Sequence, residues 1–354
     1  MPGLGLHSYW RLVHHFLSPD RVLRASKKEL LRVVGIQERH IAGLFGAGVN
    51  PHAEAEREIE RSASAGVMIT GFDDPSYPPM LKQLSDPPPV LFSRGRKELF
   101  TRPTVAMVGS RAATSYGKRT AFSLARDLSQ LSFTVVSGLA LGIDTESHVG
   151  GLQGVGSTVA VLGCGLDVVY PRQNKKLFQE IAEQGVLVSE YPLGTRPEGF
   201  RFPARNRIIA GLSKGVVVVE AARRSGSLIT AQMALDYNRE VFAVPGQVDS
   251  FKSEGAHYLL QQGAKLVQKV DDIVVEFGVV AGVLHGESAE AETDTSHLDP
   301  EALTLLQYID TYPQAREALF KRTGLSAARV SELLLFLELD GLIEMLPGDK
   351  LRKI

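Results

Sequence analysis

Val105-Ala106-Met107-Val108-Gly109-Ser110-Arg111 decides the reading of this chain: an apolar run ends at a glycine, a hydroxyl and a guanidinium, and a helical segment starts near Ser115. A strand that is apolar on both sides of its pleat is covered on both faces, as in a parallel sheet between helices. The pattern recurs in Phe133–Ser137, Thr158–Leu162, Val186–Ser189, Val216–Glu220 and Val241–Val244. Helical segments fall between most of these runs, including Gly117–Leu131, Asn174–Gln184 and Leu228–Tyr237. From 104 to about 278 the alternation predicts a doubly wound α/β domain.

On the N-terminal side, Asp74-Pro75-Ser76-Tyr77-Pro78-Pro79 and Asp86-Pro87-Pro88-Pro89 predict an ordered, extended connector rather than core, since proline blocks helix continuation. The short runs Val67–Thr70 and Val90–Phe92 are candidate strands beside the main sheet. Residues 1 to about 65 read as helices: Trp10, Val13, Phe16 and Leu17 share a stripe, Ser18-Pro19-Asp20 breaks it, a second helix runs from Lys27 through Val34, and Ile41, Leu44 and Phe45 form a third stripe. The Val34-Gly35-Ile36 turn suits a helix-hairpin-helix or sterile-alpha-motif-like unit, serving either DNA phosphates or packing alone.

On the C-terminal side, residues 279–298 are poor in large apolar residues and predict a flexible linker. Beyond it, helix Glu301–Tyr312, short helix Gln314–Thr323, helix Ala327–Leu339 and a hairpin of Gly341–Leu346 with Lys350–Ile354 follow the winged-helix order. From Asp299 onward there are nine acidic residues and seven Lys/Arg, and the presumed recognition helix has Arg329 as its one cation. Major-groove readers present several Arg, Lys, Asn or Gln, so a protein-contact or accessory role fits better than duplex recognition. The domain plan is therefore 1–65 helical, 66–278 α/β with its core at 104–278, 279–298 linker and 299–354 winged helix.

With 354 residues, 44% of them hydrophobic, the chain can build two or three cores. A formal charge of −1 excludes a uniformly basic nucleic-acid binder, though a local basic strip can still hold phosphates. Cys164 is the sole cysteine and fits a reducing compartment. Residues Met1 to Phe16 lack a signal-peptide stretch, and runs such as Val216–Val219 are too short for a bilayer, so a cytoplasmic protein without a membrane partner is expected.

In parallel α/β sheets, ligands bind beyond the carboxyl ends of the strands, and four segments fall there. Gly109, Ser110 and Arg111 could admit a backbone, donate a hydroxyl and fork onto a phosphate; a tight turn with a solvated arginine would use the same residues. Ser137 and Gly138 could offer N–H donors, and Asp144 reads as the N-cap of the next helix. Phe200-Arg201-Phe202-Pro203-Ala204-Arg205-Asn206-Arg207, with Arg196, sets four arginines in twelve positions beside two phenylalanines. Guanidinium groups and aromatic rings suit phosphates and unpaired bases; a loop packed on the sheet edge, one ring in the core and one exposed, is the alternative. Ser225, Gly226 and Ser227 could form a second anion cradle or simply cap a helix. No Gly-x-Gly-x-x-Gly fingerprint, Walker sequence or metal-ligand spacing occurs, and neither cofactor nor metal is expected.

The order of these motifs resembles the DprA/Smf family over nearly the whole chain. It runs from Asp74-Pro75-x-Tyr77-Pro78 and Asp86-Pro87-Pro88-Pro89-Val90-Leu91 through Val108-Gly109-Ser110-Arg111 and Ser137-Gly138-Leu139-Ala140-x-Gly142-Ile143-Asp144. It ends with Val161-Leu162-Gly163-Cys164-Gly165-Leu166-Asp167-x-Val169-Tyr170-Pro171, Phe202-Pro203-x-Arg205-Asn206-Arg207 and Ser225-Gly226-Ser227-Leu228-x-Thr230. The resemblance implies an extended Rossmann core that binds single-stranded DNA and catalyses no reaction of its own. It also implies strand protection in natural transformation, help in loading the RecA recombinase, and a homodimer through the Rossmann domain. The implied DNA pocket is Gly109, Ser110, Arg111, Ser137, Gly138, Arg205, Asn206 and Arg207, with Phe200 or Phe202 for base stacking. The rival readings are a nucleotide hydrolase using Glu220, and a transcription regulator using the winged helix.

Overall fold

Nine strands of the computed structural model form one sheet: β1 (Met68–Gly71), β2 (Val90–Gly95), β3 (Thr104–Val108), β4 (Thr134–Ser137), β5 (Thr158–Leu162), β6 (Val186–Ser189), β7 (Gly215–Val218), β8 (Glu240–Ala243) and β9 (Lys265–Leu266). Their order is β1-β2-β6-β5-β4-β3-β7-β8-β9; β2 runs antiparallel to both of its neighbours, β1 and β6, and the other pairs are parallel. The structure describes residues 4–44, 50–279, 299–310 and 314–353. The chain divides into two compact units near residue 284.

Every residue of β3 through β7 is buried, the physical basis of their unbroken apolar runs. Ala106 and Val108 face one layer, where they meet Ile208, Ile209 and Ala231. Val105 and Met107 face the other, against Leu124, Leu128 and Ile143. Six predicted strands are present with ends shifted by at most two residues, and β9 escaped the pattern because it has only two residues.

The proline-rich segment is more than a connector. Tyr77, Leu81, Leu84 and Leu91 are buried in the main core, and the Tyr77 hydroxyl donates to the Pro88 carbonyl at 2.7 Å. A short helix, Pro79–Lys82, sits inside it. Prolines here straighten the flanks while the apolar residues between them fill the sheet face.

Among the described residues, five α-helices precede the sheet: Leu6–Phe16, Pro19–Arg24, Lys27–Leu30, Glu38–Ile41 and Pro51–Ser64. Ser18-Pro19-Asp20 starts a helix as well as ending one: Ser18 Oγ accepts from the Arg21 N–H at 3.2 Å, and proline suits the first helical position. The helix from Lys27 stops at Leu30, short of the expected Val34. Ile41 belongs to the small core of Leu12, Val22, Leu30, Val33 and Ile36, while Phe45 lies outside the described residues. This helical region is seated on the sheet domain by Trp10, whose Nε1 donates to the Pro87 carbonyl at 2.8 Å and whose ring meets Phe72 edge-on.

The second unit has helices Pro300–Gln307, Arg316–Thr323 and Ala327–Leu339, with strands β10 (Gln314–Ala315), β11 (Ile343–Leu346) and β12 (Lys350–Lys353) ordered β10-β12-β11. Leu305, Leu319, Val330, Leu333, Leu337 and Leu351 form its core, giving a winged helix. Its first helix ends at Gln307, earlier than expected, and residues 311–313 lie outside the described set. So do residues 280–298, on which the linker expectation falls.

Candidate functional site

β3 has β4 on one side and β7 on the other, so the chain winds away from it in both directions. Loops leaving the carboxyl ends of β3 and β7 part there and leave a crevice. A groove of about 860 Å³ occupies it, lined by the Gly109–Ala112 loop, the Ala222–Ser227 turn and one face of the helix Arg201–Leu212.

Gly109 is needed for packing rather than for ligand approach. A Cβ there would lie 2.6 Å from Ile143 Cγ1 and 2.9 Å from the Glu220 carbonyl oxygen. Ser110 is half-buried, and its carbonyl accepts from the Ile143 N–H at 3.2 Å, tying the loop to the helix Ile143–Gly151. Arg111, next in the chain, is exposed, with its guanidinium carbon 5.8 Å from the Phe202 ring centre. Phe202 in turn stacks on Tyr170, centroids 5.4 Å apart and planes 22° from parallel. Cation and two rings thus form one layer at the groove, a surface that suits phosphate and base together. Tyr170 lies outside the expected site residues; its place in the Val169-Tyr170-Pro171 motif is the signal it leaves in the sequence.

The segment expected as an arginine-rich loop is a helix, Arg201–Leu212, with Phe200 at its N-cap. Two residues apart on a helix means nearly opposite faces, and Arg205 and Arg207 part company accordingly. Arg205 is buried: its Nη1 donates to the Gly138 carbonyl at 2.8 Å and to the Val161 carbonyl. Burial draws its pKa down to about 10, so it stays charged at neutral pH. Arg207 faces away from the groove, donating to the Asp86 carbonyl at 2.8 Å and to the Glu190 carboxylate. Burial raises the pKa of Glu190, and Arg207 opposes that shift. Arg207 therefore does not belong with the groove, and Arg205 forms its floor rather than a free fork. Asn206 is half-buried on the groove wall, where its Oδ1 accepts from Arg205 Nε at 3.2 Å. Neither phenylalanine is in the core: Phe202 is half-buried in the groove, and Phe200 is 68% exposed beneath the Arg201 guanidinium.

Ser137 and Gly138 do not present open donors. Ser137 is buried, its hydroxyl donating to the Met107 carbonyl at 2.7 Å, and the Gly138 N–H donates to Asp144 at 3.1 Å. Asp144 is not the N-cap, a position held by Gly142; its carboxylate instead accepts from the Gly138 and Ala140 amides and fixes the loop after β4. Burial raises its pKa, against the pull of Arg205. His148 is fully buried, accepting from the Leu139 N–H at 3.2 Å and meeting Thr158 Oγ1 at 2.7 Å; burial pushes its pKa down to about 3. These groups support the loop from beneath.

Across the groove, Ser225 caps the helix Gly226–Asp236: its Oγ accepts from the Ser227 N–H at 3.3 Å and meets Ser227 Oγ at 2.7 Å. Gly226 is exposed at that helix start, and Arg224, exposed beside it, is a groove cation absent from the expected set. Glu220 is buried, taking the Thr114 N–H at 3.0 Å and the Thr114 hydroxyl. Cys164 is buried, which raises its pKa to about 11 and opposes thiolate chemistry. Among the described residues, no cluster of His, Cys, Asp and Glu could hold a metal ion, and no helix is long and apolar enough to cross a membrane.

Residues 68–278, the sheet and every groove residue, match the family model described as DNA recombination-mediator protein A. The chain belongs to this family. Residues 289–349 match the DprA winged helix domain. Protein Smf of Synechocystis is 34% identical over 98% of this chain and 94% of its own length. DNA processing protein DprA of Streptococcus pneumoniae is 44% identical over 64% of this chain and 78% of its own. Among solved structures, the X-ray structure of DprA from S. pneumoniae gives a TM-score of 0.68 at 37% identity, covering 78% of this chain and 94% of that one. DprA from Helicobacter pylori, whose structure concerns a single-stranded-DNA-binding mode, gives 0.54 at 32% identity over 59% of this chain and 95% of that one.

Proposed function

We propose that this chain binds single-stranded DNA along the groove between β3 and β7, protects incoming strands during natural transformation and helps load the RecA recombinase onto them. The observation that carries the reading is the layer of Arg111, Phe202 and Tyr170, with Arg224 across the groove and Arg205 in its floor. Local positive charge would engage the sugar–phosphate chain, and a half-buried ring beside it would accept a base of any identity. Gly109, Ser110, Ser225, Gly226, Ser227 and Asn206 shape the walls of this site in the proposal; Ser137 and Gly138 support it from below. The H. pylori relative and its single-strand mode favour the same reading.

The protein works without a reaction of its own, as a cytoplasmic homodimer joined through the sheet domain. The rival hydrolase needs an available carboxylate at the pocket, whereas Glu220 and Asp144 are both engaged by backbone amides. The proposed domain roles are a helical unit at 1–65, a DNA-binding α/β domain at 66–278, a linker at 279–298 and an accessory winged helix at 299–354.

Fluorescence-anisotropy titrations of labelled single-stranded and duplex oligonucleotides at two salt concentrations test the proposal. Single-strand preference with steep salt dependence is expected; equal affinity for the duplex overturns it. Free base released from nucleoside monophosphates would restore the hydrolase. Loss of single-strand binding on removal of residues after Glu287 would favour the regulator.

A further inference from the structure

The winged-helix unit carries an apolar face that its own core does not cover. On the helix Ala327–Leu339, the residues Val330, Leu333, Leu334 and Leu337 are buried inward. Ala328, Glu332, Leu335, Phe336 and Leu339 are exposed, at spacings of four, three, one and three residues that place them on one stripe. Leu335, Phe336 and Leu339 are 56%, 52% and 74% exposed, where a self-sufficient domain would carry charge.

This is also the helix that a DNA-reading winged helix would lay in the major groove. Its single cation is already committed: Arg329 Nε lies 2.7 Å from Glu301, Nη1 lies 2.9 Å from Glu332, and Nη2 pairs with Asp299. The helix contains no Asn, Gln or Lys; exposed Glu338 and Asp340 border the stripe, and Glu332 lies within it. Phosphates would meet carboxylates there, and base edges would meet leucine.

We propose that this face docks an amphipathic helix of a partner protein whose own apolar stripe is bordered by Lys or Arg. Apolar area would supply the packing, and the acidic border would select a cationic flank. A second copy of this chain fits less well, because a two-fold packing of the stripe would bring two acidic borders together. The inference stands independently of the DNA groove.

The test uses the full chain and two labelled 18-residue helical peptides, each with Leu at i, i+3, i+4 and i+7 positions, one filled out with Lys and the other with Glu. The Lys peptide should bind with an affinity that falls as salt rises, and the Glu peptide at least tenfold more weakly. The double variant Phe336→Ala/Leu339→Ala should lose the Lys peptide by tenfold or more while its thermal midpoint and its single-strand binding stay at wild-type values. Equal binding of both peptides, undiminished binding by the double variant, or no binding overturns the proposal. Concentration-dependent self-association that the double variant abolishes would make a second copy the occupant, and overturns it as well.

Discussion

The two sides of the groove use the same residue type in opposite ways. On the rim loop, Arg111 is exposed, and the loop that carries it is fixed by neighbouring backbone and by Gly109 packing. On the helix Arg201–Leu212, Arg205 and Arg207 are almost wholly buried, their guanidinium groups used on carbonyls and on Glu190. Arginine content therefore measures two things at once: cations offered to a ligand, and rivets that hold the wall in place. Burial and partners separate them, and composition does not.

The sharpest way to break this contrast is Arg207→Ala. It leaves Glu190 buried without its cation, and should lower unfolding free energy by about 3–5 kcal/mol. Urea unfolding checks it; a loss confined to DNA affinity, with stability unchanged, would return Arg207 to the ligand side. Next in size is a pH effect from the buried support. His148 has a folded pKa near 3 against an unfolded value of about 6.5, so its contribution is complete above pH 6.5 and lost as pH falls toward 3. At pH 5 that amounts to about 2 kcal/mol, and His148→Gln should flatten the urea-midpoint profile between pH 7 and 5.

Arg111→Ala should behave in the reverse manner to Arg207→Ala. Thermal stability should hold, while single-strand affinity drops about tenfold and the slope of log K against log salt shrinks by about 0.7. Unchanged affinity across oligonucleotides would remove the rim loop from the site. The smallest effect belongs to Phe200→Ala, since that ring lies outside the Arg111–Phe202–Tyr170 layer. Its affinity should stay within about twofold of wild type, whereas loss of a stacking ring would weaken binding by about 1–3 kcal/mol per base. A larger loss from Phe200 than from Phe202 would reverse the assignment of the two rings.

Much of the fold was legible because β3 to β7 are buried on both faces, and covered strands leave unbroken apolar runs in the chain. The glycine- and serine-bearing strand ends were legible for the same reason, being where those runs stop. The helix Arg201–Leu212 was not: Arg205 and Arg207 point into protein, so the polar-outside rule that reveals most helices fails there. The proline-rich segment misled in the other direction, since prolines mark straight backbone but do not report that Tyr77 and Leu81 between them fill the core. Availability was the least readable property. Gly138 and Arg205 carry suitable chemistry in the sequence, and only the folded chain supplies the Asp144 carboxylate and the carbonyls that occupy them.

Trp10 is the chain's single tryptophan, and it sits where the N-terminal helices meet the proline-rich segment. Indole emission from the native protein thus comes from that seam alone. If the helices peel away while the sheet stays intact, the emission maximum should shift to the red before far-ultraviolet circular dichroism changes. A natural, label-free optical reporter is thereby built into the boundary between the two regions.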